Sequence, residues 1–207
     1  GVVPMEWAAN QITLRGSLVE LPKFSHENHG KRFYRFYMEV RRLSGAVDTL
    51  PVIAEEEVLG RTDPFGGEML TVTGQIRSHN LRDEGQRHLL IFVFASAITA
   101  DDGDWCNDVT LCGTLCRVPV YRRTPLGREI CDIMLAVPRA FHRADYLPCI
   151  LWGRTAQEFA GCRIRDRLCI TGRLQSRTYT KLTETGAQER TAYEISALSV
   201  HIPEDFL

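Results

Sequence analysis

The sequence predicts a mainly β (all-β class) protein made of two tandem copies of a five-stranded Greek-key barrel, each with one short helix. The first observation is an internal repeat, in which NQITLRGSLVELPKF from Asn10 answers NDVTLCGTLCRVPVY from Asn107, an offset of 97 residues. The offset becomes 98 where GQIRS at Gly74 answers GRLQS at Gly172. Self-similarity over the whole length indicates two copies of one structural unit. The second observation is that each copy consists of short alternating strands and a single helical piece, which fits a small barrel.

The strands follow in the same order in both copies. The first, LRGSLVEL or LCGTLCRV, alternates apolar and polar residues and breaks at Pro22 or Pro119. After a glycine-containing turn comes the second strand, FYRFYMEV or CDIMLAV, and the third follows a Leu-Pro pair and leads into the helical piece. The fourth surrounds Gly74 or Gly172, and the fifth is LLIFVFASAI or AYEISALSV. Glycines inside strands predict bulges or barrel corners at these two positions.

The repeat divides the chain into five segments. Residues 1–9 are an unpatterned N-terminal lead, residues 10–100 form the first barrel, and residues 101–106 are an acidic linker. Residues 107–202 form the second barrel, and residues 203–207 are a short C-terminal tip. The sequence therefore predicts two domains of about a hundred residues, an ordinary domain size.

The composition predicts a soluble globular protein, with 44% hydrophobic and 25% charged residues. No apolar run approaches the roughly 20 residues of a membrane span. The N-terminus lacks the basic and then apolar layout of a signal peptide. We therefore expect a cytoplasmic protein.

The seven cysteines and six histidines do not predict a metal site or a disulfide framework. The cysteine count is odd, no C-x-x-C pair occurs, and Cys131, Cys149 and Cys169 lie in apolar strand runs. A free cysteine in such a run behaves as a small hydrophobic residue. The histidines have no catalytic or metal-binding spacing, and no nucleotide-binding or hydrolase motif occurs. We predict structural thiols, no cofactor, no metal and no enzymatic activity.

The stretch from Tyr146 to Tyr179, YLPCILWGRTAQEFAGCRIRDRLCITGRLQSRTY, is the most informative about function. Its first strand is apolar on both alternating faces, whereas an ordinary half-buried strand is polar on one of them. By alternation, one sheet face of the stretch carries Tyr146, Trp152, Arg173, Arg177 and Tyr179. Rings that stack on bases, interleaved with cations that hold phosphates, suit a single nucleic-acid strand.

The same stretch resembles the bacterial single-stranded DNA-binding proteins. The shared pattern is a strand ending in LWG, a short helix containing alanine, and an apolar strand that opens into G-x-L-x-S/T-R and an aromatic residue. Members of that family are OB-folds whose aromatic residues stack on bases, so the resemblance implies two tandem OB-folds. It places the stacking residues at Phe141, Tyr146, Trp152 and Tyr179. The resemblance covers residues 107–200 well and the first copy only weakly.

The basic residues are divided unevenly between the copies. Residues 107–200 hold 14 Lys and Arg against 9 Asp and Glu, whereas residues 10–99 hold 11 of each. A local excess of positive charge suits phosphate binding, and arginine adds bidentate and stacking contacts. The turn after Tyr121 is expected to border the groove of such a barrel. The candidate nucleic-acid-binding residues are the four aromatic residues above together with Tyr121, Arg122, Arg123, Arg139, Arg154, Arg173, Arg177 and Lys181.

The first copy departs from the family pattern. Glu55, the first of three consecutive glutamates, stands in the position of Trp152, and Thr49 stands in that of Tyr146. Carboxylates beside a binding face repel phosphate. The aromatic and basic run KRFYRFYMEVRR, residues 31–42, partly offsets this. Two interpretations stay open for that run: a strand with one core face and one solvated face, or a second DNA platform. A third role for this degenerate OB-fold is subunit or partner assembly.

The sequence thus predicts a protein that binds single-stranded DNA with little sequence preference and protects it in replication, recombination or repair, at the nucleoid. The alternatives are a primosome-type or phage-recombination accessory protein that acts mainly through protein contacts, an RNA-binding OB-fold protein, and a purely structural assembly module. Family members with one OB-fold per chain form tetramers, so the resemblance implies a homodimer with four OB-folds. Replication or recombination proteins are the expected further partners.

Overall fold

The computed structural model describes residues 9–60, 69–83, 85–100 and 103–203. The predicted N-terminal lead apart from residue 9, the first two residues of the linker, and the C-terminal tip after residue 203 lie outside the described residues.

The described residues of the first half form six strands and one short helix. Their bounds are β1 Asn10–Leu18, β2 Lys23–Asn28, β3 Lys31–Arg41, β4 Val47–Glu55, α1 Glu56–Gly60, β5 Met69–Asp83 and β6 Gln86–Ala100.

The second half repeats this order of elements. Its bounds are β7 Cys106–Leu115, β8 Val120–Arg123, β9 Glu129–Arg139, β10 Arg143–Trp152, α2 Gly153–Phe159, β11 Arg167–Thr183 and β12 Gly186–His201. Neither helix in the described part of the chain has the length and apolar character needed to cross a bilayer. The repeated order confirms the predicted tandem architecture.

Each half closes into a five-stranded barrel. In the first, the sheet order β3-β4-β6-β5-β1 is closed because β1 also pairs with β3, at Ser17 with Glu39 and Leu18 with Met38. In the second, β9-β10-β12-β11-β7 is closed in the same way by the pairing of β7 with β9. The short strands β2 and β8 follow the predicted proline breaks and pair along the free edges of β3 and β9. The predicted pair of OB-folds is confirmed.

Two in-strand glycines lie at the places where the strands bend. The register of β5 against β6 shifts between Thr73 and Gly74, and that of β11 against β12 shifts between Thr171 and Gly172. A Cβ atom on either glycine would overlap a backbone carbonyl oxygen of the partner strand. Only glycine therefore allows the strands to approach this closely, which confirms the predicted bulges.

The barrels are joined edge to edge through β1 and β7. These strands pair antiparallel with Ile12 opposite Val109, which occupy equivalent positions in the two copies. The pairing therefore has a local two-fold axis at this point, as in the isologous contact of a dimer. All twelve strands belong to one continuous sheet.

A buried carboxylate from each barrel reaches across to the other. Asp48 is 1% exposed and accepts two hydrogen bonds from Arg42, at 2.7 and 2.6 Å, and one from the backbone N–H of Ser176, at 3.0 Å. In the equivalent position, Asp145 accepts a hydrogen bond from the backbone N–H of Ser78, also at 3.0 Å. These contacts fix the angle between the barrels.

The electrostatics of the Asp48 site favour the ionised carboxylate. Burial by itself raises the pKa of Asp48, but the hydrogen bonds from Arg42 and from Ser176 outweigh it and hold the pKa below its ordinary value. The site therefore contributes stability at neutral pH.

One cysteine pair differs from the prediction of structural thiols. Cys112 on β7 lies directly opposite Cys169 on β11, and the two form a disulfide. The other five cysteines are free. The prediction was wrong for this pair because an odd count and a missing C-x-x-C motif do not report which residues face each other on neighbouring strands.

Candidate nucleic-acid interface

The outer face of β10 carries two of the predicted rings. Leu147, Cys149 and Leu151 are buried inside the barrel, whereas Tyr146 and Trp152 lie on the opposite face. Tyr146 is exposed and Trp152 is half-buried. Both rings therefore lie on the predicted face, although Ile150, which lies between them on that face, is buried.

Trp152 is held in place at the end of β10. Its indole Nε1 donates a hydrogen bond to the Ser196 hydroxyl at 2.9 Å, so the polar atom of the ring is satisfied. The guanidinium carbon of Arg128 lies 4.5 Å from the ring centroid. This contact is a cation–π pair at an exposed arginine, which is worth only about 0.5–1 kcal/mol. A base can therefore displace Arg128 or stack beside it.

The face continues from Trp152 along β11 and β12. Gln175 on β11 lies opposite Glu194 on β12 and donates to its carboxylate at 3.1 Å. Arg177 approaches the same carboxylate at 3.4 Å, and its guanidinium carbon lies 5.6 Å from the Tyr179 ring centroid. The structure thus brings Arg177 and Tyr179 onto the face that also carries Trp152.

The other predicted residues of the second barrel lie on several separate elements of its surface. Phe141 is 91% exposed in the β9–β10 turn, and Tyr121 is exposed on β8. Beside it, Arg122 pairs with Asp132 at 2.8 Å and Arg123 pairs with Glu129 at 3.2 Å. Arg154 is exposed on α2, and Lys181 is half-buried on β11.

Two of the predicted arginines lie between the barrels. Arg139 is half-buried, and its Nε lies 3.7 Å from the buried Asp145 carboxylate. Arg173 is also half-buried; burial and the neighbouring charge of Arg42 lower its pKa, which Asp48 partly offsets. Both side chains belong to the inter-barrel clusters rather than to the exposed row that carries Tyr179.

A groove of about 1080 Å³ runs between the two barrels. Its lining includes Tyr179 and Tyr193 from the second barrel and Phe33 and Phe94 from the first. None of the described residues that line it is Asp or Glu. Eight lining residues carry a positive charge: Arg35, Arg77, Arg87, Arg117, Arg139, Arg143, Lys181 and Arg190.

Two arginines of the groove, Arg77 and Arg139, are close to each other and share the buried Asp145 carboxylate as a compensating charge. Burial, and then the charge of Arg139, lower the pKa of Arg77. Among the described residues, the buried Nε atoms of the groove arginines Arg77 and Arg139 have no hydrogen-bond partner, and neither does that of Arg173, which does not line the groove. The groove therefore favours an anionic ligand.

Sequence reasoning named two of the eight groove cations, Arg139 and Lys181, and missed the other six. Arg190 lies directly opposite Tyr179 in the β11–β12 hairpin, so a correct hairpin register identifies it. Arg35, Arg77 and Arg87 belong to the first barrel, where the comparison by position gave no binding residues. Only the packing of the two barrels brings them to the same groove.

The barrels and the groove between them define a tandem OB-fold protein of the nucleic-acid-binding class. Residues 106–203 match the model of the single-strand binding protein family. Single-stranded DNA-binding protein B of Bacillus subtilis is 36% identical over 80 residues, which cover 35% of this chain and 71% of that protein. The chain belongs to the single-strand binding protein family.

Other relatives agree with this assignment, and one solved structure shares the fold. The single-stranded DNA-binding protein of Oceanobacillus iheyensis is 32% identical over 107 residues, which cover 47% of this chain and 63% of that protein. The chain spans about half the length of several further relatives. The crystal structure of the wild-type single-stranded DNA binding protein from Thermus aquaticus has a TM-score of 0.77 at 23% identity and covers 96% of this chain and 95% of that one. This likeness shows that the shared fold extends over both barrels.

Proposed function

We propose that the protein binds single-stranded DNA with little sequence preference and protects it in replication, recombination or repair. The observation that carries the proposal is the groove, which combines eight cationic side chains with aromatic rings and has no carboxylate among its described lining residues. Cations neutralise phosphates and rings stack on bases, which is the combination that single strands require. Family membership supports the same function. A protein with this role acts at the nucleoid, in the cytoplasm.

The proposed mechanism is binding without catalysis. Every base has a π-face, so stacking does not select a sequence, either on Tyr179 in the groove or on Tyr146 and Trp152, which lie on the β10 face and do not line the groove. Exposed ion pairs such as Arg122 with Asp132 are worth little, so a phosphate can replace the carboxylate at small cost. We place the main stacking set on the second barrel, within residues 107–202, and treat residues 10–100 as a separate domain.

The first prediction compares three ligands. We expect oligo-dT to bind more tightly than duplex DNA of the same length, because paired bases cannot stack on the protein. Oligo-rU should bind with an affinity close to that of oligo-dT, since stacking and phosphate contacts do not read the 2′-hydroxyl. Fluorescence anisotropy at one fixed salt concentration measures all three. Equal affinity for duplex DNA would contradict the proposal.

The second prediction concerns assembly. We propose a homodimer, which joins four OB-folds along one strand and raises the effective concentration of each site. The outer face of the six-stranded arc formed by β6, β5, β1, β7, β11 and β12 supports it, because several uncharged side chains are exposed there. Examples are Ala97, Thr99, Thr110 and Leu198. Light scattering should give a mass near twice 23.5 kDa. A monomer at tens of micromolar would contradict the dimer.

A further inference from the structure

The first barrel carries an aromatic cluster of its own on its outer face. Phe33 on β3 lies 6.1 Å from Phe94 on β6, measured between ring centroids. His26 on β2 stacks on Phe33 at 4.7 Å with an interplanar angle of 9°. The guanidinium carbon of Arg77 lies 3.9 Å from the Phe94 ring centroid. We call these four residues the first-barrel platform.

The platform is not part of the hydrophobic core. On β3, Phe36, Met38 and Val40 point into the barrel and are almost completely buried. Phe33 lies on the opposite face of the same strand and is half-buried, as is Phe94 on β6. The core is therefore complete without these rings, so packing does not explain why they are aromatic.

The platform uses positions that have no ring in the second barrel. Phe33 corresponds to Ile130 by the repeat offset of 97. Phe94 corresponds to Ser196, because Phe94 pairs with Ile53 and Gln75 as Ser196 pairs with Ile150 and Arg173. The second barrel instead has the predicted rings Tyr146 and Trp152 on β10 and Tyr179 on β11. The two barrels thus present aromatic faces that are built from different strands, and a comparison by position finds only one of them.

The glutamates of the first barrel are paired with cations. Glu55 lies 3.7 Å from the Lys31 ammonium, and Glu56 lies 3.8 Å from the Arg32 guanidinium. These pairs reduce the repulsion that the consecutive glutamates would exert on phosphate. None of the three glutamates lines the groove, whereas all four platform residues do.

We propose that the first-barrel platform is a second base-stacking site, and that one DNA strand crosses the groove from it to Tyr179 of the second barrel. This inference rests on the proposed function. The charge of the groove favours a polyanion, and the rings at its wall provide the flat apolar surfaces that bases need. The first-barrel platform and the β11–β12 hairpin of the second barrel line the same groove. A strand that is bound at one end of the groove can therefore extend to the other end. The first barrel then binds DNA with residues that the family pattern does not identify.

The test replaces a ring by an aliphatic side chain of similar size. Phe94→Leu keeps apolar packing and removes the stacking surface, so its melting temperature should stay close to that of the unchanged protein. With oligo-dT of about 30 nucleotides, long enough to cover two OB-folds, we expect the affinity to fall by about five- to a hundred-fold. With oligo-dT of about 10 nucleotides, which the second barrel can hold alone, the fall should be much smaller.

Phe24→Leu is the matched control. Phe24 is also in the first barrel, is 50% exposed and has Arg32 over its ring at 4.5 Å, but it does not line the groove. We expect Phe24→Leu to leave binding of both oligonucleotides unchanged. Equal weakening by Phe24→Leu and Phe94→Leu would overturn the inference, because the loss would not depend on the groove.

The remaining outcomes separate the inference from the proposed function. If Phe94→Leu melts early, Phe33→Leu replaces it in the same titrations. If the unchanged protein binds neither oligonucleotide, the proposed function itself fails. A further outcome is that the unchanged protein binds both oligonucleotides while Phe94→Leu and Phe33→Leu bind the longer oligonucleotide as tightly as the unchanged protein does. In that case only the second stacking site is overturned.

Discussion

Replacing Asp48 by alanine should lower the free energy of unfolding by about 3 kcal/mol. Removing one partner of a buried ion pair typically costs about 3–5 kcal/mol, and the lower end applies because Arg42 keeps some contact with water. The substitution leaves the Arg42 guanidinium without its bidentate acceptor and the Ser176 N–H without its hydrogen bond. Urea denaturation followed by circular dichroism measures the change.

The Asp48 site also predicts that the free energy of unfolding depends on pH in the acid range. Because the folded protein holds the pKa of Asp48 below its ordinary value, the unfolded chain takes up a proton first as the pH falls. The contribution of Asp48 is therefore complete above the unfolded pKa of about 3.9 and is lost as the pH falls through the folded pKa. The stability difference between the unchanged protein and Asp48→Asn should shrink over that range.

Glu20→Ala provides the control for both measurements. Glu20 pairs with Lys23 at 3.4 Å, but both side chains are well exposed, and exposed pairs contribute little. We expect little change in the unfolding free energy. An equal loss in Glu20→Ala and Asp48→Ala would contradict the role assigned to burial at the barrel interface.

Replacing Trp152 or Tyr179 by alanine should weaken oligo-dT binding by about 1–3 kcal/mol each, if each ring stacks on one base. Both rings lie on the outer face of the second barrel. Trp152→Phe keeps a ring and should retain most of the affinity. Anisotropy titrations with labelled oligo-dT measure the differences.

Ser196→Ala separates stacking from support of the ring. It removes the acceptor of the Trp152 indole hydrogen bond but leaves the ring present. We expect a smaller loss of affinity than for Trp152→Ala. A sharp fall in melting temperature for Trp152→Ala, with unchanged affinity of the folded fraction, would show that the indole acts as a core residue.

The fold was predictable because its signals are local or repeated. The repeat predicted the two barrels. On β3 the sequence left open which face is the core, and the structure shows Phe36 buried inside and Phe33 half-buried on the other face. On β10, by contrast, alternation separated Leu151 from Trp152. Glycines at the strand bends could be identified because no other residue fits so close to a neighbouring backbone.

The candidate binding residues were less predictable because their positions depend on how the barrels pack. Arg173 and Arg177 are two residues apart on one strand, yet Arg173 lies beside the Arg42–Asp48 pair and Arg177 lies on the exposed face near Tyr179. No local pattern distinguishes them. The groove itself exists only after β1 and β7 have paired.

The salt dependence of oligo-dT binding tests the central claim most directly. Binding that depends on phosphate neutralisation weakens linearly in a plot of log K against log salt, with a slope of about −0.7 for each phosphate neutralised on a single strand. With eight cations along the groove, the account predicts a slope between about −2 and −6. An affinity that does not change with salt, or no binding of oligo-dT at low salt, would contradict it.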